Sequence, residues 1–275
     1  VLERPVRQRQ RYRHPDLQQI DRLAVVPDLR LAPLLVSPLV GSLLGVLAMR
    51  LPEGRPVVLA RSECDHCHAR LRPWELVPIV SYLACRGRCR RCGTRIGLAH
   101  LLVELAAPAI ALVATLAATL VYRDPDPAWL WSACMVGWCA LVLGWIDWTH
   151  QRLPDSLTLP LLLAGLLSTW FRDPAALGLH ALAGVAGYLA FRLIALAYRL
   201  LRGRDGLGAG DAKLLAAGGA WLGLAPLPWM VLAGSIATLF LAVATGRVRG
   251  GDAVPFGPGL AAALWVLFLC AGEPA

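Results

Sequence analysis

Apolar residues along this chain run in long blocks, and do not alternate or recur on a single helical face. Eight blocks lie at about 31–49, 101–122, 128–147, 156–171, 175–200, 211–225, 227–246 and 257–272, parted by polar breaks that are mostly short. A block of this length is what a helix needs to cross a hydrocarbon layer roughly 30 Å thick. The sixth is short and rich in small residues, so its limits are soft. The pattern predicts an all-α polytopic membrane protein with about eight transmembrane helices. It divides the chain into a polar extension at 1–30, a first transmembrane helix at 31–49, a small polar module at 50–100 and a seven-helix membrane domain at 101–272.

Composition agrees. Hydrophobic residues fill 57% of the 275 positions, only 16% are charged, and the mean hydropathy is +0.57; a soluble domain carries about a quarter charged. Residues 1–30 are arginine-rich and contain no early apolar region, so the first apolar block reads as a retained helix and not as a cleavable signal peptide.

Charge sets the orientation. The 50–100 loop holds ten arginines against four acids, and 199–213 carries Arg199, Arg202, Arg204 and Lys213, while 246–252 carries Arg247 and Arg249. The alternate loops at 122–127 and 171–174 have one arginine each, and 223–228 has no charge. The positive-inside rule then puts the large loop, Asp147 and Asp211 on the cytoplasmic side. With eight spans the tail, with its seven arginines, would lie outside; either it lies inside and the span count is wrong by one, or it is an atypical translocated extension, the reading that the other loops favour. The net charge of +9 follows from this topology and from contact with anionic membrane lipid. No basic helix or aromatic platform accompanies it, so no nucleic-acid partner is expected.

The 50–100 loop contains Cys64-Asp65-His66-Cys67 and Cys89-Arg90-Arg91-Cys92. Each CxxC turn can aim two thiolates at one ion, and two such turns complete the tetrahedron of a structural zinc site. Around fifty residues build little core, so a metal staple explains how the module folds. Cytoplasmic thiols stay reduced, which argues against disulfides. Cys85, His66 and His68 lie close enough in sequence to compete as ligands, but the paired turns favour Cys64, Cys67, Cys89 and Cys92. Cys134, Cys139 and Cys270 fall in apolar blocks and read as packing residues.

Two aspartates stand at block ends. Asp147 closes the third block, where a helix C-terminus disfavours an acid, so no capping role is expected for it. Carboxylates this near hydrocarbon are costly, which marks it as a candidate for chemistry. Asp211 lies in Gly208-Ala209-Gly210-Asp211-Ala212-Lys213. Gly206, Gly208 and Gly210 remove side chains and let other chain segments approach; a plain helix N-cap is the alternative for Asp211. Gly208, Gly210, Lys213 and Asp155 are expected to support this loop. Asp155 and Ser156 also fit a helix's first turn, and Lys213 is expected to meet lipid phosphate in preference to an acid. His150 reads as a solvated interfacial residue, and Trp145 and Trp148 as an aromatic belt. If Asp147 and Asp211 approach, one can hold a proton while the other activates water.

Taken together, Gly41-Ser42, Arg50-Leu51-Pro52, both CxxC pairs, Arg72-Pro73-Trp74-Glu75, Val80-Ser81-Tyr82-Leu83, Leu153-Pro154-Asp155, the Gly208–Lys213 run and Pro255-Phe256-Gly257-Pro258 resemble the type IV prepilin peptidases. These are bacterial inner-membrane aspartic proteases of the GxGD class, and the matching pieces run from about residue 41 to 258. The resemblance implies that Asp147 and Asp211 are the catalytic pair. It implies eight helices with a cytoplasmic zinc domain after the first. It also implies prepilins and pseudopilins as substrates, cut on the cytoplasmic side after a glycine and before a hydrophobic helix. Many members also methylate the new N-terminus with S-adenosylmethionine. Here the pattern departs: Gly45 stands where an asparagine is common, and Ala99-His100-Leu101 replaces a basic-aromatic-proline segment before Glu104. No motif by itself marks an S-adenosylmethionine site. A peptidase without methyl transfer is the nearest rival, and a proton-coupled transporter or a membrane-anchored zinc module the more distant ones.

Overall fold

Eight helices succeed one another where the apolar blocks lie: α1 (Ala32–Arg50), α2 (Leu98–Val121), α3 (Pro127–His150), α4 (Asp155–Arg172), α5 (Leu177–Arg202), α6 (Ala209–Leu222), α7 (Leu227–Ala244) and α8 (Gly257–Ala271). The computed structural model describes residues 31–57, 63–64, 66–67, 69–76, 79–122, 126–203, 206, 208–246 and 254–271. The extension at 1–30 lies outside the described residues, as do His68, Arg204, Arg247 and Arg249.

Helices α1, α2, α3, α7 and the stretch Pro174–Arg202, which includes α5, are long and apolar enough to cross a membrane. The protein is therefore a helical, multi-pass membrane protein. Length and apolarity alone mark five crossings among the described residues, however, and not eight. Helix α8 is apolar but has 15 residues. Helix α6 has 14 residues, a length of about 21 Å at 1.5 Å per residue. The reason lies in its surroundings. Helices α4, α5, α7 and α8 all pack against α6, and every residue from Asp211 to Trp221 except Lys213 is buried. A helix enclosed by protein needs no lipid-facing length.

Small residues let these helices close up. In the membrane the gain comes from van der Waals packing and interhelical hydrogen bonds, since lipid is as apolar as leucine. Ala107, Ala111, Ala114 and Ala118 form a buried stripe on α2, where Ala107 also meets Gly41 of α1. Three indole N–H groups then tie helix to helix: Trp138 Nε1 donates to Ala107 O at 3.0 Å, Trp221 Nε1 to Leu161 O at 2.8 Å, and Trp265 Nε1 to Ala133 O at 2.9 Å.

The ends of α3 are specified locally. Asp126 caps its start by accepting from the Ala128 amide at 3.1 Å, with Pro127 at the first helical position, where no donor is lost. Gln151 ends it in a left-handed conformation at φ 52°, donating its amide to Asp147 O at 2.9 Å. The chain then passes extended through Pro154 into α4, which leaves Asp147 on the last turns of α3 beside the α3–α4 corner.

Between α1 and α2 the described residues form short helical turns, Pro73–Leu76 and Val80–Ala84, and two isolated bridges. It is tied to α2 by Glu104, whose Oε2 accepts from the Ile79 amide at 2.8 Å. Ile79 sits at φ 61°, a costly conformation for a β-branched residue, and this carboxylate holds it there.

Candidate active site

Among the described residues, the only buried charged side chains are Asp147 and Asp211, each 7% exposed. They come from α3 and α6, and α8 packs against both helices. The two carboxylates are close enough to interact electrostatically.

Each carboxylate rests at a helix N-terminus, where unpaired amides and the helix dipole favour a negative charge. Asp211 is the third residue of α6, in its first turn, and the backbone amide of Gly208, the N-cap residue, favours its carboxylate. Asp147 cannot gain this from its own helix, whose C-terminal end repels it. It gains it from α8, because Asp147 Oδ2 accepts from the amide of Gly257, that helix's first residue, at 2.9 Å. The expectation that Asp147 lacks a capping role thus holds within α3 but not across the fold. Gly257 was not singled out by sequence reasoning beyond its place in Pro255-Phe256-Gly257-Pro258. The available signal was a glycine at the start of an apolar block with proline behind it.

Two glycines owe their identity to close approach. A Cβ on Gly257 would lie 2.6 Å from Asp147 Oδ2, and one on Gly210 would lie 2.7 Å from Leu153 Cβ. The first would break the hydrogen bond, and the second would push the α3–α4 corner away from α6.

The structure also corrects the expectation for Lys213. Its Nζ pairs with Asp155 Oδ1, so its partner is an acid and not lipid phosphate. Asp155 is the first residue of α4, as its place after Pro154 predicts. The pair links the first turns of α4 and α6, two residues from Asp211. His150 is exposed, with Nδ1 2.7 Å from Thr149 Oγ1, as an interfacial residue should be.

The four cysteines converge. Their Sγ atoms all lie within 4.8 Å of one another, with Cys64–Cys92 at 3.9 Å and Cys67–Cys89 at 4.0 Å. Bonds of about 2.3 Å to a tetrahedral zinc place sulfurs roughly 3.8 Å apart, so the set fits that ion. The two knuckles share one geometry. Cys64 N donates to Ala69 O at 3.0 Å and Cys89 N to Thr94 O at 2.9 Å, and the bridges Glu63–Arg70 and Arg88–Arg95 close each turn. His66 and Cys85 are not in the group, and His68 lies outside the described residues.

Electrostatics point the same way. The Thr94 hydroxyl and amide bring the Cys92 thiol down to about 6, and the Cys92 and Arg91 amides lower Cys89. At Cys67 the Ala69 amide pulls down, but desolvation and the three neighbouring sulfurs outweigh it and raise the thiol to about 11. Four thiolates so close repel one another until a cation joins them.

The family description "Bacterial Peptidase A24 N-terminal domain" matches residues 35–118, and "Type IV leader peptidase family" matches residues 134–243. This chain belongs to the type IV leader peptidase family. The first match covers most of α1, the cysteine module and most of α2. The second covers most of α3 to α7, Asp147 and Asp211 included, and stops short of Gly257. A prepilin leader peptidase/N-methyltransferase of Burkholderia pseudomallei is 45% identical over 217 residues, covering 77% of this chain and 68% of the relative. One from Dichelobacter nodosus is 38% identical over 213 residues, covering 78% and 72%. One from Pseudomonas aeruginosa is 36% identical over 268 residues, covering 87% and 89%. No solved structure matches.

Proposed function

We propose that this leader peptidase family member is an aspartic endopeptidase of the bacterial inner membrane. It cuts the leader from type IV prepilins or pseudopilins and then N-methylates the exposed terminus. The observation that carries the reading is the pair of buried acids, Asp147 and Asp211, held at two helix N-termini and in electrostatic contact.

The chemistry follows from their proximity. Two carboxylates in electrostatic contact resist ionising together, so one can hold a proton while the other is charged. The ionised one takes a proton from a water whose oxygen attacks the scissile carbonyl carbon. The protonated one gives its proton to the leaving amine as the C–N bond breaks. No metal is needed at this step. The Gly257 amide keeps Asp147 aimed, and the Lys213–Asp155 pair holds α6 against α4 so that Asp211 stays in register. Gly208 and Gly210 let the loop lie close.

Four further assignments belong to this reading. All eight helices would traverse the bilayer, with the short α6 enclosed by its neighbours. The arginine-rich 50–100 module and both acids would face the cytoplasm, against anionic lipid. Cys64, Cys67, Cys89 and Cys92 would hold a structural zinc that staples the module. The methyl donor, S-adenosylmethionine, would supply an electrophilic methyl on a cationic sulfur. A cavity of about 260 Å³ between the module and α1–α2, lined by Glu63, Glu75 and Glu104 and also by Arg50 and Arg95, is the candidate place for it.

Retained methylation has its own support. A Cβ on Gly45 would lie 3.2 Å from His100 Nδ1. The two departures from the family pattern therefore meet each other, with the His100 imidazole filling room that a side chain at 45 would take, beside the same cavity.

The test pairs purified protein with a membrane-embedded prepilin and S-adenosylmethionine, with mass spectrometry of the product N-terminus. Cleaved, methylated product that is lost in Asp147→Asn and Asp211→Asn is the expected result. Cleavage without methylation would leave the peptidase alone, and retained cleavage in either variant would overturn the reading.

A further inference from the structure

Beside Asp147 the bundle leaves an open groove that hydrolysis alone does not explain. Helices α3 and α8 pack together as its floor, Ile110 of α2 forms one side, and Leu241 and Thr245 of α7 form the other. Its volume is about 380 Å³. It follows α3 from Gly137 to Trp148, a length of about 16 Å, or three turns of a helix.

Three features say what fits there. First, the walls come from membrane-crossing helices and are apolar, and two polar groups along the groove are turned to the bundle's own backbone: Thr245 Oγ1 donates to Leu241 O at 2.7 Å and the Trp265 indole to Ala133 O at 2.9 Å. Nothing calls for a polar ligand. Second, the floor is low. Ala262 is exposed, and a Cβ on Gly144 would meet only Pro258, at 3.4 Å, so a second backbone can come close. Third, the groove passes close to the candidate catalytic site. Gly144, one helical turn before Asp147, and Pro258, the chain neighbour of Gly257, both line it.

A peptide in hydrocarbon must satisfy its own backbone, which means it must be helical. We infer that this groove seats the apolar α-helix of the enzyme's own membrane-embedded substrate, with one end of that helix delivered to Asp147. The inference rests on the peptidase reading. A second copy of this chain seated there would close the approach to Asp147. A lipid chain would fit the same apolar walls but would leave the groove's place near Asp147 without a use.

The test reads occupancy apart from chemistry. A diazirine analogue of leucine replaces Leu241, and the protein is illuminated in vesicles with a leader-bearing prepilin. Adducts on the prepilin's apolar segment are expected, in wild-type and Asp147→Asn backgrounds alike. Adducts confined to lipid or to a second copy of the chain would overturn the inference. A prepilin that cross-links but is never cut would leave the groove assignment standing and sink the peptidase reading. In parallel, Ala262→Phe should raise KM for the embedded prepilin roughly tenfold or more with kcat little changed. Val266→Phe, one turn further along α8 on its exposed side, should leave both unchanged. Equal KM in Ala262→Phe and wild type, with both proteins folded, would also overturn it.

Discussion

Asp147 Oδ2 accepts a hydrogen bond from the Gly257 amide at 2.9 Å, joining residues 110 positions apart. An acid misplaced at the end of α3 thereby becomes the cap of α8, and its carboxylate is oriented without being neutralised by a cation. The relationship makes Gly257 a positioning residue. Gly257→Ala puts a methyl 2.6 Å from that oxygen. Cleavage should fall by roughly tenfold to a hundredfold through kcat, consistent with a displaced catalytic group, while the protein stays folded and KM changes little. Steady-state kinetics on the embedded prepilin check this.

Asp147→Asn and Asp211→Asn each remove one half of a proton-sharing pair. Acid–base catalysis contributes typically 10² to 10⁴ in rate, and paired groups act as a unit, so each single change should cost about as much as the double. Single-turnover cleavage of the three variants measures it. Additive losses would mean that the two acids do not work together.

Cys64→Ser should abolish stoichiometric zinc, measured by elemental analysis, and loosen the module to proteolysis while the helical bundle persists. Zinc retention should also depend on pH. Cys67, raised to about 11, is protonated at neutral pH and must lose its proton to bind metal. Affinity therefore weakens as pH falls, by about tenfold per pH unit for each proton displaced. A chelator competition series from pH 9 to about pH 6 reads the slope.

Lys213 and Asp155 form a partly exposed pair, a class whose coupling is about 0–1 kcal/mol. Lys213→Ala and Asp155→Asn should each reduce cleavage only a few-fold, and the double variant should be no worse than either. A double-mutant cycle on kcat/KM tests this. Independent effects would return Lys213 to the lipid headgroups.

Much of this was legible in the chain. Uninterrupted apolar runs fixed the helical elements because a backbone in hydrocarbon has no other way to satisfy its hydrogen bonds. The CxxC spacing marked the four sulfurs that converge. What misled was any inference from a residue's own neighbourhood. Lys213 read as lipid-facing in preference to an acid because its partner lies in another block, and Asp147 read as having no capping role because the end of its own helix disfavours an acid. Asp155 and Gly257 complete those two sites from 58 and 110 residues away.

By itself, then, the sequence determined the membrane class, the order of helices, the cysteine module and the two acids worth asking about. All of these follow from local composition and spacing. Only the tertiary structure decided that α6 is enclosed, that both acids rest on helix N-termini, and that a groove runs along α3 close to one of them. Those depend on which helices pack together, a choice made by small residues and a few long-range hydrogen bonds that leave no period in the chain.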